Sequence, residues 1–243
     1  SLQDNSVVRF KVREGNISKI NRIITGPNGK LWLATASGLY YLADAHLMPV
    51  ENLLTHENPI EGELWTLAKD HLGNIWIGGK TGLYQLSYSS DGYMVSTQSV
   101  KAWVTGITER TKGELWVTTY GAGLYIVEPN HGVLQRFVKK DQNANGLKND
   151  YLISIHQDTE DQIWVGSDGK GLQRYLVSRN RFHHTSHDPD DENSISHAFV
   201  RAVSTEKDGT LWVGTRNGLN RKLPNGDGFV RYFFDEHQAN SLP

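Results

Sequence analysis

Three histidines and four carboxylates crowd one short stretch: His183, His184 and His187 run into Asp188, Asp190, Asp191 and Glu192. Imidazole and carboxylate donors at close spacing are what a metal site is made of. The intervals here match no zinc site. A calcium loop needs alternating oxygen ligands closed by a glutamate, and only a fragment of that pattern is present. The stretch has the composition of a solvated linker, so neither a metal nor another cofactor is expected. The chain has no cysteine, which removes disulfides, zinc thiolates and a thiol nucleophile. It has no Gly-x-Ser-x-Gly elbow and no phosphate loop. No catalytic set is expected.

A second group of residues suits ligand binding. Short turns of varied sequence recur along the chain: Ala36-Ser37, Lys80-Thr81, Tyr120-Gly121-Ala122, Asp168-Gly169-Lys170 and Arg216-Asn217. Variable loops on a regular scaffold are where binding residues concentrate. The candidates are Tyr120, Asp168, Lys170, Arg216 and Asn217, with Tyr151 and His197 from the neighbouring segments. Trp65 and Trp103 stand outside the repeated pattern described next, and Trp103 is the better placed of the two to meet a ligand.

The scaffold announces itself by repetition. Gly29-Lys30-Leu31-Trp32-Leu33-Ala34-Thr35, followed by Gly38-Leu39, returns around Trp76, Trp116, Trp164 and Trp212. Successive tryptophans lie 44, 40, 48 and 48 residues apart, and periods of about 40–50 residues built of short strands mark a β-propeller. Each repeat reads as four strands with a turn every 8–12 residues or so. The first strands are expected at 20–24, 64–68, 100–107, 151–156 and 199–203, and the last at 47–53, 93–100, 133–138, 179–184 and 229–234. No stretch has a helical apolar stripe.

Apolar residues flank every repeated Trp, as in Ile75-Trp76-Ile77 and Ile163-Trp164-Val165. Strand side chains alternate between faces, so both faces of these strands must be covered, with the indole wedged between blades. Small residues follow two and three places after each Trp, where backbones can approach closely. The Gly before each Leu is expected in a conformation that other residues resist.

The chain is therefore expected to be all-β: a propeller of four-stranded antiparallel blades, spanning residues 1–243, with about five blades present. Residues 6–12 read as a strand with no earlier partner, and Asn240-Ser241-Leu242-Pro243 repeats the linkers at Asn145 and Asn193. These features suggest a piece of a larger, seven-bladed ring whose end falls inside a further repeat, leaving blade faces that another copy would cover as a homodimer. With 25 basic against 27 acidic residues there is no cationic excess for nucleic acid. No apolar run of about 18 residues crosses a membrane, and the polar start Ser1-Leu2-Gln3-Asp4 is not a signal peptide. Any membrane attachment is expected through segments outside this chain.

The pattern Asp-x-x-Gly-x-Leu-Trp-Val-Gly-Thr-x-x-Gly-Leu, with an Asn-Ser-Leu linker, closely resembles the two-component regulator propeller repeat. Residues 157–175 and 205–222 match it best. Gly26, Arg110 and Glu206 replace the Asp in three repeats, and Asp161 replaces the closing Gly in one. The resemblance implies a non-catalytic, ligand-sensing domain on the periplasmic side of a bacterial inner-membrane signalling protein. In that family the output is a hybrid histidine kinase, a diguanylate cyclase or a regulator domain. It also implies a small-molecule or oligosaccharide ligand. A sialidase-type propeller is set aside, because its Ser-x-Asp-x-Gly-x-x-Trp spacing and arginine cluster are missing. A lyase of the streptogramin type, recruiting His156 and His197 with a divalent metal, and a bare protein-interaction scaffold remain as alternatives.

Overall fold

The computed structural model describes residues 11–12, 17–54, 57, 60, 62–237 and 241–242. Each repeat folds into one antiparallel sheet. The first contains β2 (Ile20–Thr25), β3 (Leu31–Thr35), β4 (Gly38–Ala43) and β5 (His46–Pro49). The second contains β6 (Leu64–Lys69), β7 (Ile75–Gly79), β8 (Leu83–Ser89) and β9 (Gly92–Thr97). The third runs through β10 (Val104–Thr111), β11 (Glu114–Thr119), β12 (Leu124–Glu128) and β13 (Gly132–Phe137). β14 (Leu152–Gln157), β15 (Ile163–Ser167), β16 (Leu172–Leu176) and β17 (Arg181–Thr185) form the fourth. β18 (Val200–Thr205), β19 (Leu211–Thr215), β20 (Leu219–Lys222) and β21 (Phe229–Tyr232) form the fifth. Strand order within each set of four follows the chain, and the described residues hold no α-helix, only three short 3-10 turns.

Several strand bounds shift, the strand expected at 93–100 ending at Thr97 and that expected at 179–184 starting at Arg181, and three further changes stand out. The third blade opens at Val104, because Val100 to Trp103 have no strand partner in the ladder. Residues 50–52 leave the sheet as a 3-10 turn with Val50 buried. Of the strand expected at 6–12, residues 6–10 lie outside the described residues. β1 (Lys11–Val12) pairs in parallel with His46 and Leu47, as a fifth strand on the outer edge of the first sheet. Of the repeated linker at 240–243, Asn240 and Pro243 also lie outside them.

The sheets pack face to face like propeller blades. Their innermost strands meet in series, β2 with β6, β6 with β10, β10 with β14 and β14 with β18. Each Trp enters the core of the next blade. Trp32 clusters with Ile75 and Ile77, Trp76 with Leu115 and Val117, Trp116 with Ile163 and Val165, and Trp164 with Leu211 and Val213. The residues flanking one Trp are thus the seat for the preceding one, which is why both faces are apolar. Burying an indole of 150–250 Å² at about 25 cal/mol per Å² contributes roughly 4–6 kcal/mol per wedge. These four indoles are 0–4% exposed. Trp212, on the outward face of the fifth blade, is only partly buried. Among the described residues, β18 and β2 do not pack on each other as the consecutive inner strands do.

The small residues after each Trp lie where inner strands press together. A Cβ on Gly78 would sit 2.4 Å from Val104 Cγ1, and one on Gly166 2.7 Å from Val200 Cγ1. The Gly before each Leu has φ of 119°, 153°, 82°, 72° and 106° at positions 38, 82, 123, 171 and 218, a region open to glycine.

The repeated Asp has a specific task. Asp70 Oδ2 accepts the Trp76 indole N–H at 2.9 Å, while Oδ1 accepts the amides of Leu72 and Asn74 in the turn. Asp158 does the same for Trp164 at 2.6 Å and for the amides of Glu160 and Gln162. Glu206 serves Trp212 at 2.6 Å. In the first blade Gly26 leaves Trp32 Nε1 buried with no acceptor. A Cβ at Gly26 would lie 2.5 Å from that nitrogen, so the indole occupies the space an Asp would need.

Candidate functional site

One end of the blades, the mouth, is built by a backbone contact repeated five times. The amide just after each Trp strand donates to the carbonyl just before the same blade's inner strand. The pairs are Ala36 to Lys19, Lys80 to Glu63, Tyr120 to Trp103, Asp168 to Tyr151 and Arg216 to Phe199, at 2.8–3.2 Å. Each blade thereby fixes two side chains at equivalent mouth positions. Two residues past that carbonyl, each inner strand carries a bulge at Asn21, Trp65, Thr105, Ile153 or Arg201. Bulges re-aim side chains at strand ends. Asn21 Nδ2 reaches the Leu64 carbonyl at 2.7 Å and Thr105 Oγ1 the Leu152 carbonyl at 2.9 Å, each in the next blade.

These positions bring five aromatic residues to the mouth. Trp65 meets Trp103 at 5.2 Å between ring centroids, Trp103 meets Tyr120 at 5.0 Å and Tyr120 meets Tyr151 at 5.0 Å. The row crosses from the second blade to the fourth, and Phe199 holds the matching place in the fifth. The two tyrosines are 36% and 50% exposed, which leaves ring surface open to solvent. Charged groups flank the row. Lys19 Nζ lies 4.7 Å from the Trp65 ring and Lys80 Nζ 5.5 Å from the Trp103 ring. Glu63 sits between those ammonium groups, at 3.9 and 3.3 Å. The Tyr120 hydroxyl donates to Asp168 Oδ2 at 2.7 Å, and this bond, more than burial, raises the phenol pKa above its ordinary value.

Five of the eight sequence candidates meet at this end: Trp103, Tyr120, Tyr151, Asp168 and Arg216. Arg216 stacks over Phe199, its guanidinium carbon 5.6 Å from the ring. Lys170 and Asn217 are exposed on the same turns. His197 stands at the edge, 5.3 Å from the Phe199 ring, and its Nδ1 accepts the Phe199 amide. Lys19, Glu63, Lys80, Phe199 and Arg201 complete the mouth and were missed as candidates. They share no residue type, only a register place relative to the repeated Trp.

Elsewhere the groups with chemical potential are structurally engaged. His184 Nε2 contacts the Gly146 carbonyl and His187 Nδ1 the Ile195 carbonyl. The acidic loop after them is held by Arg231, which donates to the carbonyls of Asp188, Asp191 and Ser194. Among the described residues no three His, Asp or Glu converge as metal ligands. His156 lies in the seam between the fourth and fifth blades, 2.8 Å from Thr205 Oγ1, and burial lowers its pKa. It is four residues down β14 from the mouth, so it and His197 have separate surroundings. At the end opposite the mouth, a cavity of about 330 Å³ opens between the fourth and fifth blades, lined by Trp164, Arg174, Asp208 and Lys222 among others. Lys222 lies one place past the Trp212–Arg221 pair, and the equivalent place in the three preceding blades is Tyr175, Val127 and Leu86.

No protein-family model matches the chain. Histidine kinase P4 of Formosa agariphila is 36% identical over 178 residues, covering 66% of this chain but 12% of that protein. Among solved structures, the extracellular domain of the putative one-component system BT4673 from B. thetaiotaomicron superimposes with a TM-score of 0.73 at 18% identity, over 92% of this chain and 32% of that one. The extracellular domain of the putative hybrid two-component system BT3049 gives 0.60 at 18% identity, over 96% and 36%. Virginiamycin B lyase from Staphylococcus aureus gives 0.61 at 14% identity, over 88% and 70%. The five-fold repeat and its folding into blades lead to one assignment: the chain is an all-β propeller domain, similar in sequence to part of a histidine kinase and in fold to these extracellular domains.

Proposed function

We propose that this chain is a non-catalytic, ligand-sensing part of the extracytoplasmic domain of a bacterial transmembrane signalling protein. The observation that carries the reading is the mouth: five blades present equivalent side-chain pairs there, and an aromatic row, its two tyrosines exposed and its two tryptophans partly buried, crosses three of them. Such a surface suits a small or oligomeric ligand with flat apolar faces, an oligosaccharide among them. The histidine kinase relative and the extracellular domains of similar fold support the signalling role and a periplasmic place for it. The lyase shares the fold alone, and the separate surroundings of His156 and His197 speak against its chemistry here.

The blades fit a longer arc. Trp212 offers the same wedge as its four equivalents, and a further blade with an apolar pair beside its own Trp would seat it. The test of the sensing reading is a thermal-shift screen of the full extracytoplasmic domain against sugars and other small molecules. A ligand that raises the melting temperature, and loses its effect in Tyr151→Ala, supports it. A screen without a single stabilising compound contradicts it.

A further inference from the structure

The charge at the mouth runs against that of the chain. Overall the sequence carries a formal net charge of −2. The mouth and bulge positions of the five blades hold four cations, Lys19, Lys80, Arg201 and Arg216, against two carboxylates, Glu63 and Asp168. Both carboxylates are engaged. Glu63 is shared by Lys19 and Lys80, and Asp168 accepts from Tyr120. Neither Arg201 nor Arg216 forms an ion pair with a described residue, and both are exposed. One carboxylate between two ammonium groups leaves a surplus positive charge beside Trp65 and Trp103. The two arginines leave a second surplus on the far side of the aromatic row. A cleft lined by one sign of charge concentrates ligands of the other, and guanidinium groups match carboxylate and sulfate oxygens in pairs.

Building on the sensing reading, we propose that the mouth selects an acidic oligosaccharide, a chain carrying carboxylate or sulfate groups. Its rings lie on the Trp65–Trp103–Tyr120–Tyr151 row. Its negative groups reach Lys19 and Lys80 on one side and Arg201 and Arg216 on the other. Stacking alone accepts any flat ring; the cations at both ends of the row reject an uncharged chain of the same shape.

The experiment is an array of neutral, uronate-containing and sulfated oligosaccharides probed with the full extracytoplasmic domain. Hits are then measured by calorimetry at low and high salt. The expected hits are acidic, with affinity falling on the order of tenfold between about 50 and 300 mM salt as screening shortens the reach of the cations. Lys80→Ala and Arg216→Ala, both exposed and free to fold, should each weaken binding about fivefold and flatten the salt dependence. Lys112→Ala, at the opposite end of the third blade, should leave both unchanged. If only neutral chains bind, or if salt and both substitutions leave affinity unmoved, the charge selection is overturned and the sensing reading stands. If no oligosaccharide binds at all, the charge selection is overturned, and the wider thermal-shift screen decides whether sensing survives it.

Discussion

The Trp116 indole N–H donates to Glu114 Oε1 at 2.7 Å, two residues back along the same strand. In the second and fourth blades the acceptor lies six residues back, at Asp70 and Asp158. Arg110 holds that place in the third blade and binds Glu114 at 3.3 Å and Asp161 of the next blade at 2.8 Å. The indole keeps a carboxylate partner although the repeated residue has changed sign, and the new cation ties two blades together.

Arg110→Ala should leave the Glu114 and Asp161 carboxylates without their shared cation. The Arg110 side chain is 14% exposed and Asp161 49%, so half of the contact is screened. A loss of about 1–2 kcal/mol is expected in urea unfolding. An unchanged midpoint would show that the bridge contributes nothing.

Asp70→Ala should be costlier. It strips the acceptor from a fully buried indole and from two turn amides together. Each such group left unpaired costs about 1–3 kcal/mol, so a loss of 3 kcal/mol or more is expected on the order of these terms. Asp70→Asn, which keeps one oxygen, should fall between the two.

Two glycines with similar φ should respond differently to alanine. At Gly123 φ is 82° and a Cβ would lie 2.2 Å from the Phe137 carbonyl oxygen. At Gly113 φ is 85° and nothing lies within 4 Å. Gly113→Ala carries conformational strain alone, about 1–2 kcal/mol. Gly123→Ala adds a backbone collision and should exceed it clearly in the same measurement.

The fold was legible because one residue type marks it. Five tryptophans with apolar neighbours fix the pitch of the blades, and Gly82 or Gly218 marks the turn by needing φ above zero. The third blade's first strand begins later than the sequence suggests because Val100 and Val104 look alike, and only the ladder separates a linker Val from a strand Val. The mouth was half legible. Tyr120, Asp168 and Arg216 sit in recognisable turns. Lys19, Glu63 and Phe199 lie at strand starts that the sequence places to within one residue, but nothing in their types marks them as mouth residues, and Trp65 is aimed by a bulge that composition does not show. The role of Glu114 is not visible in sequence for a related reason: the motif's Asp place at 110 holds Arg, and only packing reveals that a strand residue accepts the Trp116 indole N–H.

Stability should also depend on pH near neutrality. Burial lowers the pKa of His156 and of His184; for His184, nearby Lys148 and His183 add to the effect and the Gly146 carbonyl opposes it. Both are neutral in the folded chain at a pH where the unfolded chain already takes up protons. Stability is therefore full above about pH 6.5 and falls as pH drops below it toward the folded values. Urea unfolding at pH 7.5 and 5.5 should show the loss, and His156→Asn should reduce it. Equal pH slopes in the two proteins would remove His156 from this account.

The most direct test of the mouth as the site is hydrogen–deuterium exchange on the propeller, with and without a ligand found in the screens. Protection should appear at 63–66, 80–82, 102–105, 119–122 and 150–152, the segments that build the aromatic row. Protection confined to the opposite turns at 70–74, 158–162 and 208–211, beside the cavity between the fourth and fifth blades, would contradict it.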